Sequence, residues 1–80
     1  MGFIGSRQYS VLQAVEHVPV SARGISAATA IKYGDVNKTL IALHFKGWVH
    51  QTDDGAIAIS SRGVRTLKNI RKGEQDGRTN

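Results

Sequence analysis

The spacing of the apolar residues changes at Gly47, and this change restricts the fold more than any other feature of the sequence. Before Gly47, apolar side chains recur every three or four residues, the period of a helix with one buried face. After it, WVHQT and AIAIS flank DDG. In AIAIS, Ile57 and Ile59 fall on one face and Ala56 and Ala58 on the other, the two-residue period of a half-buried strand. The Asp-Gly pair between the segments favours a type I′ turn, in which both central residues take positive φ. A helical region followed by one short hairpin is the frame into which everything else must fit.

The helical region divides at its punctuation. Ser6 is a plausible N-cap for RQYSVLQAVEHV, in which Val11, Leu12, Val15 and Val18 share a face. Pro19 cannot continue that helix and constrains the residue before it, so the spacing predicts an end near Val18. PVSARG is a connector with room for a two- or three-residue strand. A second helix is expected over Ile25 to Tyr33, with Ile25, Ala28 and Ile31 aligned. Gly34 suits the turn that follows, and Asp35 suits the N-cap of a third helix. There Val36, Leu40 and Leu43 form an inner stripe, and Gly47 stops it. After the hairpin, Ser60 or Ser61 caps a last helix with Val64, Leu67 and Ile70 on one side. GEQDGRTN has no apolar residue and reads as a loose tail. The expected fold class is therefore mainly α with a small β-hairpin, an α+β arrangement. The domain spans residues 6–71, with flexible termini at 1–5 and 72–80.

At 80 residues there is room for one domain and no second. The sequence has no cysteine, so aliphatic packing, with or without a second subunit, has to supply the core. Lys and Arg number 11 against 6 Asp and Glu, a formal net charge of +5. That excess fits a polyanionic partner or simply a basic, solvated surface. No stretch approaches the roughly 18 apolar residues of a membrane span, and the opening MGFIGSRQYS is too short an apolar run for a secretory signal. The expectation is a cytoplasmic protein, nucleoid-associated if it binds DNA.

With these elements in order, residues 7–70 resemble a winged helix-turn-helix domain of the bacterial or phage regulator type. Ile25 stands where that family buries the first residue of helix 2, and Val36 where it buries the first turn of the recognition helix. Leu40 and Leu43 continue the inner stripe. FKGWV is similar to the family's junction between that helix and the wing, and SSRGVRTL resembles its entry into the last helix. Two departures stand out. The turn before the recognition helix, where the family often places a glycine, reads Thr29 and Ala30, with the glycine later at Gly34. The wing tip carries Asp53 and Asp54, where a DNA-gripping wing would favour Lys or Arg. The resemblance implies a three-helix core, a two-stranded wing and a C-terminal helix.

It also implies sequence-specific binding of double-stranded DNA by a helix over about residues 35–46. Advancing about 100° per residue from Val36, Lys38, Ile41, Ala42 and Phe45 face outward, flanked by Asn37. On a helix lying in the major groove, Asn37 would bond adenine, Lys38 guanine or a phosphate, and Ile41 or Ala42 a thymine methyl. Gly34 would allow close backbone approach. Arg23, Lys32, Tyr33, Arg62 and Arg65, with Arg7, would supply phosphate contacts, and His50, Gln51 and Thr52 polar contacts from the wing. Asp53 and Asp54 would be repelled by phosphate. The solvated alternative for each of these side chains is ordinary, since Arg, Lys and Asn populate any surface. One small domain supplies modest affinity, so a homodimer or cooperative binding to repeated half-sites is expected.

Phe45 leaves two readings open. Either the last turn bends and buries it under the wing or the final helix, or it forms a partner surface near Tyr9, Ile41 or Trp48. The second favours a protein-protein interaction module docking through Ile41 and Phe45. Trp48 itself reads as core. No catalytic residues are expected. His17, His44 and His50 lack metal-ligand spacing, no Ser-His-Asp arrangement is evident, and the glycines form no phosphate-binding loop. No cofactor and no metal are implied.

Overall fold

The computed structural model describes the backbone of residues 5–79 and the side chains of residues 5–73. The elements are α1 (Ser6–Ala14), α2 (Ala22–Thr29), α3 (Tyr33–Phe45), β1 (Val49–Gln51), β2 (Ile57–Ile59) and α4 (Ser61–Thr79). The fold is mainly α with one hairpin, as the two periods predicted. The strands pair antiparallel in the register Val49↔Ile59, His50↔Ala58 and Gln51↔Ile57. On the other edge of β2, Val20 forms a single bridge to Ile57, donating to its carbonyl at 3.0 Å and accepting from its amide at 2.8 Å. The connector between α1 and α2 thus contributes one bridging residue, not the two- or three-residue strand that PVSARG had room for.

The apolar stripes converge as one core. Val11, Leu12 and Val15 meet Ile25, then Val36, Leu40 and Leu43 of α3, with Val49 and Leu67 closing it from the hairpin and α4. Burying a Val or Leu side chain contributes on the order of 1.5–3 kcal/mol, and this cluster is what holds α3 in place. Thr39, also buried, points its hydroxyl back along the helix and donates to the Asp35 carbonyl at 2.8 Å. A polar side chain is thereby satisfied inside the core without a tertiary partner.

Several boundaries differ from expectation for local reasons. The first helix stops at Ala14, four residues short of Val18, which is 61% exposed. Val20 has to reach β2, so the chain leaves the helical path early to make that bridge. The second helix begins at Ala22, three residues before Ile25, because Ser21 caps it by accepting from the Gly24 amide at 3.0 Å. Gly24 hides this start in the sequence, being a poor helix former. Yet a Cβ there would lie 2.7 Å from Val20 Cγ1, so glycine lets α2 sit close on the connector.

The turn between α2 and α3 lies at Ala30, not at Gly34. Ala30 is left-handed, with φ 60° and ψ 20°. It occupies the kind of position the winged-helix pattern gives to glycine. Side chains brace the turn. Thr29 Oγ1 donates to the Ile25 carbonyl at 2.7 Å and accepts from the Ile31 amide, and Ser26 Oγ donates to the Ile31 carbonyl. With the turn closed there, α3 starts at Tyr33, and Gly34 and Asp35 fall inside its first turn rather than forming a hinge and an N-cap.

The C-terminal end of α3 follows expectation. Gly47 has φ 76°, its amide bonds to the His44 carbonyl at 2.9 Å, and the Trp48 amide bonds to the Leu43 carbonyl at 3.0 Å. These two bonds form a Schellman motif. Ser60 then ties three elements together: its hydroxyl donates to the Gly47 carbonyl at 2.6 Å and accepts from the Gly63 amide at 3.1 Å, capping α4. The hairpin loop is not type I′. Gly55 has φ 89°, whereas Asp54 is not in the positive-φ region. The Gly55 amide bonds to the Thr52 carbonyl at 3.0 Å and the Thr52 amide to the Ala56 carbonyl at 2.8 Å. That is a three-residue loop, a type I turn closed by a left-handed glycine. Thr52, whose hydroxyl donates to the Asp54 carboxylate, stabilises this longer loop over the two-residue one.

At the other end of the molecule, Arg71 of α4 grips Glu16 with two bonds of 2.7 Å, joining α4 to the turn after α1. The backbone of α4 continues to Thr79, through residues 72–79 that the sequence reads as a loose tail. Lys, Glu and Gln in that stretch are good helix formers. Of the expected flexible lead-in, only Gly5 lies within the described residues, and Asn80 lies outside them.

Candidate nucleic-acid interface

The buried stripe of α3 presents its opposite side outward, and the rest of the fold surrounds one flank of that side. Tyr33, Asn37, Ile41 and Phe45, each four residues apart, form a row along α3. The row opens on a cleft of about 780 Å³. Across the cleft stand the start of α2, with Ser21, Ala22 and Arg23, and the hairpin, with His50, Gln51 and Gly55. Leu40, Val49 and Ile57 form its floor, and His44 lies beside the row. Because Val20 bridges β2, the α2 start and the hairpin are held side by side.

Half of the residues expected at a DNA interface come together here. Arg23, Tyr33, Asn37, Ile41 and His50 line the cleft, and Lys32, Lys38, Ala42, Arg62 and Arg65 do not. Lys38 is exposed and Ala42 half-buried. Measured around the helix from Val36, the expected outer face centred at about 190°, whereas the cleft-facing row runs from about 60° to about 180°. A helical wheel has no means of knowing that α2 and the hairpin rise on one flank only. Sequence reasoning also missed His44 and Ser21, whose signals are positional: one turn from Ile41 and immediately before α2.

Among the described residues, no Asp or Glu lines the cleft, and of the Lys and Arg side chains Arg23 does. The Arg23 guanidinium lies over the Tyr33 ring, 5.1 Å from its centroid, linking the starts of α2 and α3. Lys32 precedes α3, and Lys38 is exposed on it. Lys46 stacks over Trp48 at 4.6 Å and donates to Gln8 Oε1 at 3.2 Å. Arg62 and Arg65 are exposed on α4, with Arg62 beside Gly47. Arg7, another expected phosphate contact, pairs loosely with Asp35 at 3.9 Å. The acidic groups at the hairpin tip, Asp53 and Asp54, stand outside the cleft, and the hydrogen bond from Thr52 holds the Asp54 carboxyl below its usual range.

The two readings of Phe45 separate here. Its side chain is packed under neither the hairpin nor α4, for it is 91% exposed, and Ile41 one turn earlier is 67% exposed. Trp48 is half-buried and packs against the core. Among the described residues, no group of three or more His, Cys, Asp or Glu could hold a metal ion, and no helix is long and apolar enough to cross a membrane.

No protein-family model and no curated protein matches the chain. Solved structures do. A candidate transcriptional regulator from Pseudomonas aeruginosa superposes with a TM-score of 0.83 at 22% identity, covering 90% of this chain and 53% of that one. BpsR from Bordetella bronchiseptica, whose DNA binding is regulated by 6-hydroxynicotinic acid, superposes at 0.79 and 18% identity, covering 95% and 60%. A Listeria innocua protein of unknown function matches at 0.79 and 19% identity, covering 86% and 52%. The chain therefore spans between half and two thirds of the length of these proteins. Four helices, a two-stranded wing after the third, and these superpositions together give the chain the winged helix-turn-helix fold.

Proposed function

We propose that this protein binds double-stranded DNA sequence-specifically, with the outer face of α3 in the major groove, and acts as a small transcriptional regulator or a phage or plasmid accessory factor. The observation that carries the reading is the acid-free outer flank of α3 opening between the α2 start and the wing, with Arg23 in its lining. A helix fits a major groove about 12 Å wide. Asn37 then offers an amide to adenine, and Lys38 reaches a base or a phosphate from the edge of the face. Arg23, Lys32, Arg62 and Arg65 take phosphates, while the aspartates keep the wing tip off the backbone. Binding, not catalysis, is the role this surface suits. A single domain of this size gives modest affinity, so two copies on paired half-sites are expected.

Selection of binding sites from random duplexes at physiological salt, with the protein's mass in solution, tests this reading. A defined motif should emerge, and affinity should fall steeply with salt. Four phosphate contacts would give a slope of about −3.6 in log K against log salt. Absence of any enriched motif would refute sequence-specific reading. The exposure of Phe45 and Ile41 favours a second reading, a winged helix that docks on a protein through those two side chains. Binding of that kind would be nearly insensitive to salt.

A further inference from the structure

We infer that Ile41 and Phe45 form a reader of pyrimidine C5-methyl groups, so that the preferred duplexes carry thymine or 5-methylcytosine where these side chains meet the groove. The inference rests on the DNA-binding reading above. Single exposed apolar residues are ordinary. Here two large ones sit one helical turn apart, 67% and 91% exposed, and both face the same cleft. That cleft has no acidic lining among the described residues, and the chain carries a net +5, so the complementary partner is a polyanion.

The edges of the base pairs in a major groove are polar, with one exception. Guanine presents N7 and O6, adenine N7 and N6, and cytosine N4, whereas thymine adds a C5-methyl group to its O4. An isoleucine or phenylalanine pressed on cytosine N4 or guanine O6 would strip water from that group and return no hydrogen bond. Against a methyl group, both partners lose apolar surface to water. The pair therefore discriminates by attraction to one edge and by penalty at the others. One helical turn rises about 5.4 Å and consecutive bases about 3.4 Å, so the two contacts fall one or two base steps apart. Asn37, a further turn toward the N-terminus in the same row, suits adenine N6 and N7 and extends an A·T-rich readout.

The test uses the best duplex from site selection in three forms: unmodified, with deoxyuridine for every thymidine, and with 5-methylcytosine for every cytosine. Uracil differs from thymine only by the missing methyl group. Burial of one methyl corresponds to about a fourfold change in Kd, so two contacts give about fifteenfold. A loss on the uracil duplex assigns the methyl to thymine, and a gain on the 5-methylcytosine duplex assigns it to methylated cytosine. Either supports the inference, provided that Ile41→Ala with Phe45→Ala abolishes the difference. Both residues are exposed, so that variant should keep its Tm. Equal affinity for all three duplexes, or discrimination that survives in the variant, overturns the inference and leaves DNA binding standing. No binding to any duplex at low salt overturns both.

Discussion

Ala30→Gly should stabilise the protein, against the usual direction of a glycine substitution. Ala30 holds φ 60° and ψ 20° at the turn joining α2 to α3. For a residue with a Cβ, the left-handed region costs about 1–2 kcal/mol, and glycine removes that cost. Glycine also gains freedom in the unfolded chain, which takes back about 0.4–1 kcal/mol. The balance is a gain of about 0.8 kcal/mol. Ala30 is exposed, so no lost packing confuses the comparison. The bonds that brace the turn come from Thr29 and Ser26, and they are retained. Urea unfolding followed by circular dichroism should show a higher midpoint at unchanged slope, and Tm should rise by about 3–6 °C. Ala30→Val should move both the other way, because a β-branched residue tolerates positive φ least. If Ala30→Gly lowered the midpoint, the strain argument would be wrong, and with it the placement of the turn at Ala30.

Other substitutions probe the rest of the fold and the surface. At Gly63, a Cβ would overlap the Trp48 carbonyl and lie 2.7 Å from Ile59 Cγ1; Gly63→Ala should destabilise by about 1–3 kcal/mol or more, measured by urea unfolding. The Arg71 hydrogen bonds hold the Glu16 carboxyl below its ordinary value of 4.5. Stability from that pair is present above pH 4.5 and is lost as pH falls through the lower folded value. Glu16→Gln should cost about 0.5–1 kcal/mol at pH 7, the scale of a partly exposed pair, and almost nothing near pH 2. Lys38→Ala should weaken the selected site by about 1–3 kcal/mol if Lys38 reads a base. An equal loss on all duplexes would make it a phosphate contact, and no loss on any would remove it from the interface. Arg23→Gln should lower the salt slope by about 1 without changing the preferred motif.

Legibility from the sequence follows the range of the physics involved. The kinds of element were readable because each rests on neighbouring residues. Val36, Leu40 and Leu43 mark the inner stripe of α3 whatever lies around it, and all three are buried. Gly47 ends that helix because a left-handed backbone is cheapest there, and the two-residue alternation of AIAIS marks a strand. The candidate site was readable to the same extent: Asn37, Ile41 and Phe45 were on the outer side, and Arg23 was near the start of α2.

Tertiary contacts decided the rest, because they choose among options that local propensities leave nearly equal. Gly34 offered the cheaper turn, yet Ala30 makes it, held by Thr29 and Ser26 while Ile25 and Val36 are drawn into one core. The Asp-Gly pair permitted a two-residue hairpin, yet Thr52 and its bonds close a three-residue one. Lys38 and Tyr33 were both candidates for the working face, and only the docking of the α2 start against β2 puts Tyr33 in the cleft and leaves Lys38 outside it. The sequence by itself determined which side of each helix is apolar. The packing of α2 and the wing against one flank of α3 determined which part of the remaining surface lines the cleft.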